Sequence, residues 1–338
     1  PGHKIWSFYL GKVGHKYYSD KVGPSSLFDI GSITKSFTAA IILQLEKENL
    51  LRLNDTVSDW LPQYPKWGNI TIEQLLNMTS GLPDYTNSPS LNFEMKKRLD
   101  KVWANKTLIS IVYPPKGLAP PMQGGYNYTN TGYILLSMIA EKASGEPYSL
   151  LLNNLIKKAG LKDTFYPVPK MDEGVKQRMV HGYSFNLYEN PELLGRDVSN
   201  NNLSWGAAAG GIVSNSADII HWVEGLFISN KILDNGQKKQ LGSLVSFATG
   251  KHIVQVTAKD PKGFGLGVVQ QYVPSIGRFW FYEGSTLGFR SVYIYVPSTG
   301  IIISAAVNSA VYSGTDKIGG LIENLYEAVL SSGGMRRK

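Results

Sequence analysis

The chain has 338 residues, 43% of them hydrophobic, no cysteine and a formal net charge of +8. That length and apolar content allow one large domain or two interleaved ones, while the lack of cysteine excludes disulfides, thiol catalysis and cysteine-based zinc sites. The 34 basic residues are scattered, with one compact cluster at Arg336-Arg337-Lys338, so nucleic-acid binding has no basic stripe to rest on, and no apolar run approaches the roughly 18 residues of a membrane span.

The opening residues, Pro1 to Trp6, lack the basic start, apolar stretch and cleavage site of a signal peptide. A cytosolic protein or a mature or trimmed form is expected. Residues 4–10 and 15–19 read as two short strands around Gly11 to Gly14, a hairpin signal. A long apolar helical pattern then runs from Lys35 through Phe37, Ala40, Ile41 and Leu45 and ends near Asn49, before a turn at Leu53-Asn54-Asp55. From there to about residue 200 the chain reads as helical and loop-rich. Thr71 to Met78 is a short helix with Ile72, Leu75 and Leu76 as its apolar positions, and a Pro- and Gly-rich stretch from Pro114 to Gly125 precedes a strongly apolar helix, Gly132 to Ala143. Asn154 to Ala159 is a helix closing on Gly160.

The final third changes character. After a helix around Ser216 to Phe227 come strand-like runs at Arg278 to Glu283, Phe289 to Val296 and Ile301 to Val307, with hairpin-turn chemistry from Pro297 to Gly300. Asp316 to Leu330 carries Ile318, Leu321, Ile322, Leu325 and Val329 on one helical face. Strands at both ends with helices between them predict one antiparallel sheet built from both termini, with a helical region inserted.

Ser32 and Lys35 form the only Ser-x-x-Lys in the chain. Residues three apart on a helix share a face, with Cβ atoms roughly 5–6 Å apart, so a hydroxyl and an amine meet there without help from the tertiary fold. A lysine whose pKa is lowered by desolvation can take the serine proton, which makes Ser32 a candidate nucleophile and Lys35 its base. The competing reading is a serine N-cap beside a solvated lysine. There is no Gly-x-Ser-x-Gly elbow, no His-Glu-x-x-His, no Walker loop and no Gly-x-Gly-x-x-Gly. The five histidines show no ligand spacing. A Ser-x-x-Lys site also needs a second proton-handling group and an amide to hold the substrate, which Tyr-x-Asn can supply. That pattern occurs at Tyr85-Thr86-Asn87, Tyr128-Thr129-Asn130 and Tyr188-Glu189-Asn190, so spacing alone leaves three choices.

Gly31 to Ala40, Leu53-Asn54-Asp55, Ile70 to Tyr85, Tyr128 to Leu136 and Glu283 to Phe289, taken in that order, resemble the class C β-lactamase and penicillin-binding-protein-like serine hydrolases. The resemblance covers nearly the whole chain. It implies Ser32 as nucleophile, Lys35 as base, Tyr128 as proton relay to the leaving group, and Asn130 holding both Lys35 and a substrate amide. Tyr128 is preferred over Tyr85 and Tyr188 because it precedes the Thr-Gly-Tyr-Ile-Leu-Leu helix. The oxyanion hole would be the backbone N–H groups of Ser32 and Ser285. Where the family carries Lys-Thr-Gly or His-x-Gly, this chain has Tyr282-Glu283-Gly284. Tyr282, neutral at pH 7, supplies no charge there, and Glu283 would repel a substrate carboxylate if it faced the site. Alternation along a strand also allows it to point away. Arg290 could restore a positive charge, or be a solvated strand residue. Gly284 leaves room for close approach of the acyl group.

The expected fold is therefore α/β (α+β), β-lactamase/transpeptidase-like: a central antiparallel sheet flanked by helices with an inserted helical domain. Residues 1–30 and 200–338 would form the sheet domain and 31–199 the helical one, with the active site at the junction. The expected activity is acyl-enzyme hydrolysis of an ester or amide, related to D-alanyl-D-alanine carboxypeptidases, esterases and β-lactamases, with Tyr282, Gly284 and Ser285 beside Asn130 as substrate-binding residues. The alternative is a penicillin-binding-like module that binds without turnover. No cofactor or metal is expected. The partner would be a small-molecule or peptide substrate, peptidoglycan-derived ones included. Analogy with the family places the protein outside the cytoplasm, in the periplasm, envelope or medium.

Overall fold

The large sheet comes from the last third of the chain. A computed structural model describes residues 5–15, 19–114, 125–186, 191–311 and 318–332. In it seven strands lie in the order Ile301–Val307, Arg290–Val296, Gly277–Ser285, Val269–Val273, Lys262–Phe264, Leu244–Ser246 and His252–Ile253. Every neighbouring pair is antiparallel. The expected central antiparallel sheet with flanking helices is present, and its three longest strands are the three read from the sequence. Gly300, at a φ of +71°, closes the hairpin between the last two.

The amino-terminal hairpin is a correction. Residues 5–15 and 19 carry no ladder strand; an isolated bridge joins Lys12 to Lys21, and Ile5, Trp6, Phe8, Tyr9 and Leu10 are exposed. The first strand of the described residues, Phe28–Asp29, pairs instead with Val213–Ser214 in a separate two-stranded sheet. The alternation in 5–10 has no partner to bury one of its faces, and strand propensity acts only through such packing. The large sheet is thus not built from both ends of the described chain.

Helices Thr34–Lys47 and Thr131–Ser144 are buried almost all round and pack on each other, as expected of helices without a polar face. Phe37 stacks on Trp222 of the Ser216–Phe227 helix, with centroids 3.6 Å apart. Phe227, at the other end of that helix, stacks on Trp280 and Tyr295 of the sheet. One helix therefore binds the helix that follows Ser32 to the sheet, and truncating the fully buried Trp222 to alanine would cost about 3–5 kcal/mol. The Ile318–Ser332 helix packs on the outer strands through Ile318, Ile322 and Tyr326. Gly160 ends the Tyr148–Ala159 helix in the left-handed conformation, as its position in the sequence suggests, and Gly145 does the same for Thr131–Ser144.

Candidate active site

Ser32 is the middle residue of a single 3-10 turn, Gly31–Ile33, which feeds directly into the Thr34–Lys47 helix. Its side chain caps nothing. Ser32 Oγ lies 2.7 Å from Tyr128 Oη, and Lys35 Nζ lies 2.9 Å from the same oxygen. Lys35 Nζ also donates to Asn130 Oδ1 at 2.7 Å and to the Ala209 carbonyl at 2.8 Å. The structure brings together all four residues that the resemblance selects for this chemistry.

The partners of Lys35 decide what it can do. Asn130 Nδ2 donates to Asp84 Oδ2 at 3.0 Å and to Thr86 Oγ1 at 3.1 Å, so the Asn130 carbonyl oxygen must be the atom facing Lys35. It and the Ala209 carbonyl are acceptors only. A neutral amine has two N–H donors for those two oxygens and one lone pair left, and the remaining neighbour is the Ser32 hydroxyl. Burial pushes the Lys35 pKa from 10.5 down to about 7, with Asp84 pulling the other way. The side chain is fully buried, and its nitrogen sits 4.9 Å from the centroid of the Tyr128 ring. A general base near neutrality is the result.

Tyr128 and Asn130 are held by a loop rather than by their own helix. Asn127 N–H donates to the Met78 carbonyl, Thr131 Oγ1 donates to Pro83 O at 2.6 Å, and Tyr133 Oη donates to Leu76 O at 2.8 Å. Residues 76–84 thereby fix the start of the Thr131–Ser144 helix. The rival Tyr85-Thr86-Asn87 motif turns out to be the support. Tyr85 is buried, with its hydroxyl on the Trp205 carbonyl, while Thr86 and Asp84 orient Asn130. Tyr188 and Asn190 lie outside the described residues.

The Ser285 amide, which the resemblance implies as the second oxyanion donor, is placed by close backbone packing. Gly31 has a φ of +49°, and a Cβ on it would lie 2.5 Å from Ser285 N and 2.8 Å from Ser285 O. A Cβ on Gly284 would run into the Ile30 carbonyl oxygen. Gly284 is therefore needed to admit the backbone of the turn at Ile30, a reason the sequence did not reveal. Ser291 Oγ donates to Ile30 O at 2.8 Å, and Thr286 Oγ1 donates to Asp29 Oδ2 at 2.9 Å. Burial raises the Asp29 pKa to about 7. The Ser32 and Ser285 backbones are thus clamped side by side, which suits two amides meant for one oxyanion.

These residues open onto a cleft of about 610 Å³. Tyr282 lines it, 3% exposed, and its hydroxyl has no hydrogen-bond partner among the described residues. Glu283 is also among the residues at its wall, with its side chain about half exposed. Its carboxylate accepts a hydrogen bond from Arg290 Nη2 at 3.3 Å, and the Arg290 side chain is 9% exposed. Arg290 is therefore a buried partner of Glu283 and not a solvated strand residue, and the repulsion expected from Glu283 is offset by this pair. Lys262, Asp84 and Ala209 were not singled out from the sequence. Among the described residues no group of histidine, aspartate and glutamate could hold a metal ion.

Known proteins share this arrangement of sequence and fold. A family model described as Beta-lactamase matches residues 3–322. Penicillin-binding protein 4* of Bacillus subtilis (strain 168) is 28% identical over 277 residues, covering 80% of this chain and 58% of that protein. The chain thus spans little more than half of that relative. A beta-lactamase of Providencia stuartii is 24% identical over 83% of this chain and 73% of its own length. Among solved structures, a D-stereospecific amidohydrolase from Streptomyces sp. superposes with a TM-score of 0.73 at 27% identity, over 86% of this chain and 84% of that one. The D-amino acid amidase from Ochrobactrum anthropi SV3 has the same fold, with a TM-score of 0.81 at 23% identity, covering 98% and 92%.

Proposed function

Because this chain belongs to the beta-lactamase family, we propose that it is a serine hydrolase that cleaves an ester or amide through an acyl-enzyme on Ser32. The observation that carries this is the set of contacts at Lys35 Nζ: two obligate acceptors and, at 2.9 Å, the Ser32 hydroxyl. Neutral Lys35 takes the Ser32 proton as Oγ attacks the substrate carbonyl. The Ser32 and Ser285 amides receive the oxyanion, where each such donor is worth about 100- to 1,000-fold in rate. Tyr128, 2.7 Å from Oγ, passes a proton to the departing nitrogen or oxygen as the carbon–heteroatom bond breaks. Water then attacks the acyl-enzyme by the reverse path, giving up its proton to the same groups and releasing the acid and free Ser32. The chemistry needs no cofactor.

Substrate charge is limited by the strand edging the site. A phenol is neutral when protonated, and burial keeps Tyr282 so by holding its pKa well above the ordinary 10; no cation stands at that position to receive a carboxylate next to the scissile bond. Esters and amides without such a carboxylate are favoured over β-lactams, and the likeness to an amidohydrolase makes D-amino-acid amides and peptides the first class to test. An extracytoplasmic location belongs to the same proposal, by analogy with relatives that handle peptidoglycan; fractionation of the source cells tests it. The activity test is a panel of a nitrophenyl ester, a cephalosporin, a D-alanyl-D-alanine peptide and a D-amino-acid amide, with Ser32→Ala as control. Ester or amide turnover that disappears in Ser32→Ala supports the proposal. Cephalosporin turnover exceeding both overturns the substrate class, and binding without turnover of any member makes the protein a binding module.

A further inference from the structure

Lys262 stands apart from the catalytic group but opens onto the same cleft. Its Nζ makes no hydrogen bond or ion pair among the described residues; it rests 5.0 Å from the Phe247 ring centroid and 5.2 Å from that of Phe281. Burial lowers its pKa, with the Glu283 carboxylate pulling the other way. Glu283 is itself hydrogen-bonded to Arg290. The cleft wall holds two cations, Lys262 and Arg290, and two carboxylates, Asp84 and Glu283; Asp84 is taken up by Asn130 and Glu283 by Arg290, which leaves Lys262 with neither in direct contact among the described residues. A partly desolvated ammonium with no carboxylate in direct contact is a ready anchor for an anion.

Its position sets where that anion would be. The Gly277–Ser285 strand outruns its neighbour: the last pair is Val269 with Phe281, and from Tyr282 to Ser285 the pairing continues only with Arg290–Val296. One edge of those four residues is open among the described residues, and an extended chain can lie along such an edge. From Phe281 to Ser285 is four residues, about 13 Å along a strand. Lys262 lies near the Phe281 end, on the order of 10 Å from the oxyanion site. It also lies on the Tyr128 side, because Tyr126, two residues before Tyr128, stacks on Phe247 at 4.0 Å. The Tyr128 side is where the leaving group departs.

We infer that Lys262 is a specificity residue that binds an anionic group, a carboxylate in the simplest case, at the far end of an extended leaving group. This rests on the acyl-enzyme reading and narrows its substrate class. A carboxylate directly beside the scissile bond, as in a β-lactam, would fall well short of Lys262. A peptide or amide whose carboxylate lies two or three residues further on would reach it, with Tyr126 and Phe247 covering its apolar stem.

The test uses S-acetyl thioesters of mercaptoacetic, mercaptohexanoic and mercaptooctanoic acids, each beside its neutral carboxamide. The chain has no cysteine, so released thiol can be followed by a disulfide dye without background. At about 1.3 Å per bond the longest chain spans roughly 10 Å. Its acid-to-amide ratio of kcat/KM should be about tenfold in the wild type and near one for mercaptoacetate, with the difference residing in KM. Lys262→Met should bring the long-chain ratio close to one, and Lys262→Arg should restore part of it. A wild-type ratio near one at every length, or a ratio that survives Lys262→Met, overturns the assignment. Failure of the wild type to hydrolyse even the neutral thioesters, or hydrolysis that persists in Ser32→Ala, overturns the acyl-enzyme reading itself.

Discussion

Gly31 and Ser285 approach so closely that a Cβ on the glycine would lie 2.5 Å from the serine amide nitrogen. That contact joins the turn carrying Ser32, the proposed nucleophile, to the strand carrying Ser285, the proposed second oxyanion donor. Gly31 also sits at a φ of +49°, where a side chain is strained whatever the space. Gly31→Ala should push Ser285 away and lower kcat by about 100- to 1,000-fold, the cost of one lost donor. Steady-state kinetics alongside a melting curve checks this; a folded variant with unchanged kcat would remove Ser285 from the oxyanion hole.

Lys35 must be neutral to accept the Ser32 proton, and burial brings its pKa from 10.5 to about 7. Below that value the amine carries a proton and has no lone pair. The kcat/KM profile should therefore fall about tenfold per unit as pH drops below about 7 and level off above it. The apparent value belongs to the Lys35–Tyr128–Ser32 cluster and not to one residue. A profile that stays flat from pH 5 to pH 8, on the order of a thousandfold range in proton activity, would exclude Lys35 as the base.

Asp84 makes no hydrogen bond to Ser32 or Lys35; besides its electrostatic pull on Lys35, it orients Asn130, accepting from Nδ2 at 3.0 Å. Asp84→Ala frees the amide to rotate and offer its NH2 to the amine. A misplacement of this size typically costs about 100-fold, and the loss should appear in kcat/KM with little change in thermal stability. Asp84→Asn, which can still accept the bond, should recover part of it.

The nearness of Ser32 and Lys35 was legible in the sequence because residues three apart on a helical turn share a face, but the choice between a nucleophile and a helix cap came only from the family resemblance. Tyr128 and Asn130 were legible only through the family resemblance, since Tyr-x-Asn occurs three times and no local rule separates the copies. Asp84 and Ala209 were out of reach for the same reason: their contacts with Asn130 and Lys35 span 46 and 174 residues. The strands Leu244–Ser246 to Val269–Val273 were missed because each is two to five residues long and carries polar or glycine positions such as Gly263, Gln270 and Gln271. The opposite error occurred at residues 5–10, where a good strand pattern has no ladder partner among the described residues.

Tyr282 offers a direct test of why β-lactams are disfavoured. It is buried, yet its hydroxyl makes no hydrogen bond among the described residues, so replacing it orphans no partner there. Tyr282→His restores a group that can carry charge beside the site. Cephalosporin turnover relative to that of a neutral nitrophenyl ester should rise by about tenfold, a difference of roughly 1.4 kcal/mol, and should do so more strongly at pH 6 than at pH 8, about either side of the histidine pKa. An unchanged ratio would place the barrier to β-lactams elsewhere in the cleft.

The central claim is that Ser32 becomes acylated, and intact-protein mass spectrometry after treatment with a fluorophosphonate measures it most directly. One adduct per chain is expected, mapping to the peptide that contains Ser32, absent from Ser32→Ala and formed much more slowly in Lys35→Met. An adduct that persists in Ser32→Ala, or a wild type that stays unmodified by the fluorophosphonate, a penicillin and an activated ester alike, would contradict it.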